Sequence, residues 1–193
     1  EHFSADADRC YFFTATPKHS LTIFKPGMND PAVYGQVICT VRAPHLVEQG
    51  YILPPKVVVK ELPRGEYQQS DCQNLLETLD DHEPGKVLIA ARSTKQIMRL
   101  VSESDFCVEL QSRGYNWMLI TSKTGAIING QKVTREQFFN TLNAWGRDDK
   151  KFVCIHHSIL SEGINVKGLD AVLFMRNMDY IGISQSIGRV IRL

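Results

Sequence analysis

The sequence predicts an α/β fold, a parallel sheet with helices on both faces, and three observations carry that expectation. From residue 66 onward, short aliphatic and β-branched runs alternate with longer amphipathic stretches, the rhythm of strands joined by crossover helices. Polar clusters close several of those runs: Arg92-Ser93-Thr94, Thr121-Ser122-Lys123-Thr124-Gly125, and Ser158 through Gly168. Open parallel sheets gather ligands beyond the carboxyl ends of their strands, so these clusters mark the expected working edge. Composition agrees, with 43% hydrophobic and 22% charged residues in 193, ordinary for a chain that buries a sizeable core.

The elements follow in order. Cys10 to Phe13 is apolar and aromatic and runs into Thr14-Ala15-Thr16-Pro17. Pro17 pushes Thr16 out of the helical region, which predicts a strand leaving into a polar loop. Gln36 to Val41 reads as a second strand, and Ala43 to Gln49 as a helix closed by Gly50. Tyr51-Ile52-Leu53-Pro54-Pro55 is a stiff connector. Lys56 to Leu62, with three consecutive valines, reads as a buried strand before Pro63-Arg64-Gly65 breaks the pattern. Beyond it the expected elements are a helix over 66–82, strand 86–91, helix 94–104, strand 117–121, helix 134–145, strands 152–155 and 171–174, and a last helix over 180–192.

That last helix sets Gln185, Arg189 and Arg192 on one polar arc, with Ile183, Ile187, Val190 and Ile191 opposite. Two guanidiniums one turn apart can fork onto the terminal oxygens of a triphosphate, and Gly188 leaves room for a close approach. The formal net charge of +1 excludes overall basicity as a sign of nucleic acid, so any backbone-binding surface is a local patch. Five cysteines without C-x-x-C spacing argue against a disulfide framework and a zinc site, and read as reduced, mostly buried thiols of a cytoplasmic protein. His156 and His157 are neighbours on a strand and face opposite ways, so they predict no metal site. Trp117 and Trp145 read as core. No apolar run reaches the ~18 residues that span a bilayer, and Glu1-His2 does not open a signal peptide. The chain lacks an initiator Met and stops inside a predicted helix, which reads as a fragment.

Three stretches carry a resemblance. Thr14-Ala15-Thr16-Pro17, Ser161-Glu162-Gly163-Ile164-Asn165-Val166-Lys167-Gly168-Leu169 and Gln185-x-x-Gly188-Arg189-x-x-Arg192 resemble, in order and spacing, motifs III, V and VI of superfamily 2 DExD/H-box helicases. The run 86–91 followed by Arg92-Ser93-Thr94 resembles motif IV, and the later stretch is similar to the phage UvsW-type and restriction-motor branches. The resemblance implies a RecA-like fold, with residues 1–55 the tail and connector of a first RecA-like, ATP-binding domain. Residues 56–193 would be the second, C-terminal domain, and the rest of the first domain its partner. It implies ATP and Mg²⁺ in the intact protein, Arg189 and Arg192 as arginine fingers with Gln185 beside them, and Gly163 and Asn165 near the nucleotide. Thr14 and Thr16 would couple nucleotide state to nucleic-acid binding. Arg92, Ser93, Thr94, Thr121, Ser122, Lys123 and Ser158 would touch the nucleic-acid backbone, DNA ahead of RNA, in the cytoplasm or, for a viral protein, the host's.

No G-x-x-x-x-G-K-[ST] run occurs in the 193 residues. Such motors need that phosphate cradle, so the chain alone is expected to be inactive as an ATPase. Two readings stay open: a portion of an ATP-driven helicase or translocase, or a non-catalytic RecA-like module that binds nucleic acid or a partner.

Overall fold

The computed structural model describes residues 8–14, 17–22, 24–62, 69–157 and 168–175. Among the described residues, every strand of the sheet and the helices that cover it lie between Asp71 and Phe174. Helix α3 (Asp71–His82) starts at Ser70, whose hydroxyl accepts the Gln73 N–H while Gln73 reaches back to the Ser70 N–H, a reciprocal cap that satisfies two otherwise orphan donors. Asp71 sits at the favourable end of the helix dipole, and Leu75 and Leu79 face the core. Strand β1 (Lys86–Ala90) leads into α4 (Thr94–Ser102), capped by Ser93, and then α5 (Phe106–Ser112). β2 (Asn116–Thr121), β3 (Gly125–Ile128) and β4 (Gln131–Val133) follow as a meander. Helix α6 (Arg135–Arg147) repeats the reciprocal cap with Thr134 and Gln137, and β5 (Phe152–His156) and β6 (Ala171–Phe174) complete the sheet.

The six strands run in the order β4-β3-β2-β5-β1-β6. β2, β5, β1 and β6 are parallel, and their register aligns Ile120, His156, Ala90 and Phe174 at one level. All four carboxyl ends therefore share one edge of the sheet. Alternation along each strand splits the core in two. Val87, Ile89, Trp117, Leu119, Val153 and Ile155 pack on the face covered by α3, α4 and α5. Leu88, Met118, Ile120, Phe152 and Cys154 pack on the opposite face with Phe138, Leu142 and Trp145 of α6. Helices on both faces of a mainly parallel sheet are the architecture that the sequence predicts, and both tryptophans lie in the core.

Several expectations are corrected. Cys10–Phe13, Gln36–Val41 and Lys56–Leu62 are irregular chain and form no strands. Val57, Val58 and Val59 are 71%, 56% and 83% exposed, and across the described part of 8–62 only Gly27 is buried. β-branched residues favour strands where a pleated, half-buried surface receives them, and no neighbouring strand pairs with these. The chain here holds two short helices instead, α1 (Pro31–Tyr34) and α2 (Ala43–Glu48), the second at the expected place. The four parallel strands are joined by an antiparallel pair, β3 and β4, that the sequence reading did not include. Asn129 (φ 46°) and Gly130 (φ 85°) take the two left-handed positions of a tight hairpin turn, so the chain reverses where a loop was expected. Helix α5 was not expected, and α4 ends at Ser102 rather than 104. The helix expected over 180–192 lies outside the described residues, as do positions 66–68 of the helix expected over 66–82.

Candidate nucleic-acid interface

The carboxyl edge places two polar loops on either side of β5. On one side β1 ends with Ala91, whose N–H donates to the His156 carbonyl at 2.8 Å, and the chain surfaces at Arg92. Arg92 is exposed, and its guanidinium forms no ion pair among the described residues. Its backbone N–H donates to Gln96 Oε1 at 2.7 Å. The Ser93 hydroxyl accepts the Gln96 N–H at 3.1 Å, which caps α4 and leaves the hydroxyl proton available to donate. Thr94 opens the helix, where unsatisfied backbone N–H groups and the dipole favour an anion.

On the other side β2 turns into β3 through Ser122, Lys123 and Thr124. Thr121 is 3% exposed and closes that turn: its Oγ1 lies 2.7 Å from the Thr124 hydroxyl and accepts the Thr124 N–H at 2.9 Å. Gly125, at φ 75°, completes the reversal. Ser122 and Lys123 are exposed at its tip, so Thr121 shapes the turn that presents them. Between the two loops stands β5, ending in buried His156 and half-buried His157. With adjacent strands ~4.8 Å apart, the two loops are separated by about 10 Å across β5. Two cations and a set of hydroxyl donors thus face one edge, able to hold a phosphate backbone at two points without reading bases.

Gln96 is the polar residue at this edge that sequence reasoning missed. It is 9% exposed, and besides holding Arg92 it donates from Nε2 to Asp71 Oδ2 at 2.8 Å, joining the β1–α4 loop to the first turn of α3. Its signal was a glutamine on the apolar side of α4, beside Ile97 and Leu100. Of the other expected site residues, Thr14 is exposed in irregular chain. Thr16, Ser158, Gly163, Asn165, Gln185, Arg189 and Arg192 lie outside the described residues. Among the described residues no group of His, Cys, Asp and Glu is arranged to hold a metal ion, and no helix is long and apolar enough to cross a membrane.

Fold and edge together define a RecA-like α/β domain with its cations and hydroxyls gathered beyond the strand ends. Residues 70–193 match the helicase conserved C-terminal domain, and the chain belongs to that family. The match begins at Ser70, the cap of α3, and takes in every strand of the sheet. No curated protein matches the chain.

Proposed function

We propose that the chain is the C-terminal RecA-like part of a superfamily 2 DExD/H-box helicase or translocase, akin to the phage UvsW-type and restriction-motor branches, acting on DNA. The observation that carries this reading is the pair of loops flanking β5, with Arg92 and Ser93 on one side and Ser122 and Lys123 on the other, in a chain of the helicase C-terminal family. Phosphate contacts of this kind fix a motor's register on its track, and neutralising cations release counterions. Thr94 supports the first loop through the α4 terminus, Thr121 supports the second, and Ser158, two positions after His156 in sequence, supplies a further hydroxyl.

The remaining roles concern the nucleotide. Gly163 and Asn165 approach ATP, and Arg189 and Arg192, with Gln185, reach the terminal phosphate. Thr14 and Thr16 link the two events. The described residues form no phosphate cradle, and the G-x-x-x-x-G-K-[ST] run that would form one is absent from the 193 residues. This chain therefore contributes to an ATP and Mg²⁺ site completed by another RecA-like domain, with residues 1–55 as the tail of that domain and its connector.

The test is binding of the full chain to labelled single-stranded, forked and duplex DNA and to RNA across a salt series. The expected result is tighter binding to DNA, with the logarithm of affinity falling linearly with that of salt concentration. Affinity that ignores salt would remove the phosphate reading. The missing phosphate cradle also favours a second reading, a RecA-like module without catalysis. ATP hydrolysis by the protein that carries this chain, lost on Arg192→Ala, decides for the motor, since arginine fingers contribute ~10³–10⁵ in rate.

A further inference from the structure

Gln96 is one of three buried polar residues among those described, and its side chain uses both ends of its amide. A glutamine at a buried helical position is costly where an aliphatic residue would pack, unless each polar atom has a partner. Here Oε1 accepts the Arg92 N–H at 2.7 Å and Nε2 donates to Asp71 Oδ2 at 2.8 Å. Capping α4 does not require either bond, because Ser93 already performs that role.

Asp71 is the first residue of α3, where the chain enters the sheet domain. The approach to that point is itself pinned. Lys60 Nζ and Gln69 Nε2 both donate to the Glu77 carboxylate, at 2.9 and 2.8 Å. Polar contacts thus hold Lys60 and Gln69 to the second turn of α3, and the first residue of that helix, Asp71, is joined through Gln96 to the backbone of Arg92.

We infer that Gln96 is a positioning residue that sets the Arg92–Ser93 loop for its phosphate contact and ties that contact to the start of α3. The inference rests on the reading of this edge as a nucleic-acid surface. A shift of Asp71 then reaches Arg92 through two hydrogen bonds, in addition to the packing that α3 and α4 share.

Two measurements on the full chain test it. Gln96→Glu keeps an acceptor for the Arg92 N–H but sets a carboxylate against Asp71, whereas adding Asp71→Asn restores a donor at that contact. Neighbouring groups in one network are energetically coupled, so Q96E is expected to weaken binding to labelled single-stranded DNA by about 5- to 30-fold, equivalent to about 1–2 kcal/mol. The Q96E/D71N pair is expected to recover most of that loss. Loss without recovery would overturn the link through Asp71, because simple damage to α4 is not repaired from α3.

The second measurement is amide hydrogen exchange at Arg92 in wild type and Gln96→Met, which keeps length and removes both partners. Exchange is expected to rise about tenfold, as for loss of one hydrogen bond. Unchanged exchange in a folded variant that still binds DNA would overturn the positioning role. Wild-type chain that binds no DNA, with Arg92 exchange still raised in Q96M, would instead overturn the nucleic-acid reading and leave the local lock standing.

Discussion

At the scale of the residue, the edge combines two kinds of donor. Arg92 and Lys123 supply charge from flexible side chains, and Ser93 supplies a hydroxyl already held by the Gln96 N–H. Charge reversal at either cation should weaken DNA binding and lower the salt slope by about one, the mark of a single lost phosphate contact. Anisotropy titrations of Arg92→Glu and Lys123→Glu check this, with an unchanged slope removing the residue from the contact. The cysteines offer a second test, since the thiolate is the reactive form. Burial and the nearby Cys72 push the Cys107 thiol up to about 11, and burial pushes Cys154 up further. Against the expectation of mostly buried thiols, Cys10 and Cys39 are exposed, Cys72 and Cys107 are half-buried, and Cys154 alone of the five is buried. Maleimide labelling at neutral pH, read by mass spectrometry, should modify Cys10 and Cys39 before Cys107, and Cys154 only after unfolding. Arg92 and Ser93 were legible because a cation and a cap residue directly follow an apolar run. Gln96 was not, because the partner that makes it meaningful lies 25 residues away.

At the scale of the element, helices α3 and α5 are joined at the surface by Arg113, which donates to both oxygens of Asp80 at 2.8 and 3.0 Å and also to Glu109. The Arg113 hydrogen bonds hold the Asp80 carboxyl below the usual carboxylate range, and burial works weakly against them. A depressed acid stabilises the fold above its unfolded-state range and loses that contribution as pH falls through its folded value. Asp80→Asn should therefore lower Tm slightly at neutral pH, as expected for an exposed pair. The gap from wild type should close in acid, where both carry a neutral side chain. Thermal melts from pH 7 down through the carboxylate range check this, and a gap that does not shrink at all as the pH falls would assign the loss to packing. The start of α6 was read in place, at Thr134, whereas α3 was expected from 66 and begins at Asp71, because the Ser70–Gln73 capping pattern that marks its start was passed over. The β3–β4 hairpin was passed over although Asn129-Gly130 is its signal, because four- and three-residue strands give periodicity too little length to register. α5, at seven residues, escaped for the same reason.

At the scale of the whole molecule, the buried cores of the described residues are two, one on each face of a single sheet. Phe138 is fully buried between α6 and the sheet, so Phe138→Ala should cost about 3–5 kcal/mol in urea denaturation. A cost below about 1 kcal/mol would mean that this layer collapses readily around the lost ring. The fold class was legible because alternation of strand and helix is a global pattern that survives local misreading. The failures in 8–62 share one cause. Valine-rich runs such as Val57-Val58-Val59 state a preference for pairing, and a sequence window cannot see whether a neighbouring strand is there to pair with.

The order of strands also bears on how molecules of this protein meet one another. β4 is an outer strand three residues long, and it presents Gln131 and Lys132 outward. A short edge carrying an ammonium group gives a second molecule little backbone to zip onto, and a cost in stranded charge if it tries. The meander that carries the Lys123 turn therefore also guards its own flank of the sheet against intermolecular strand pairing.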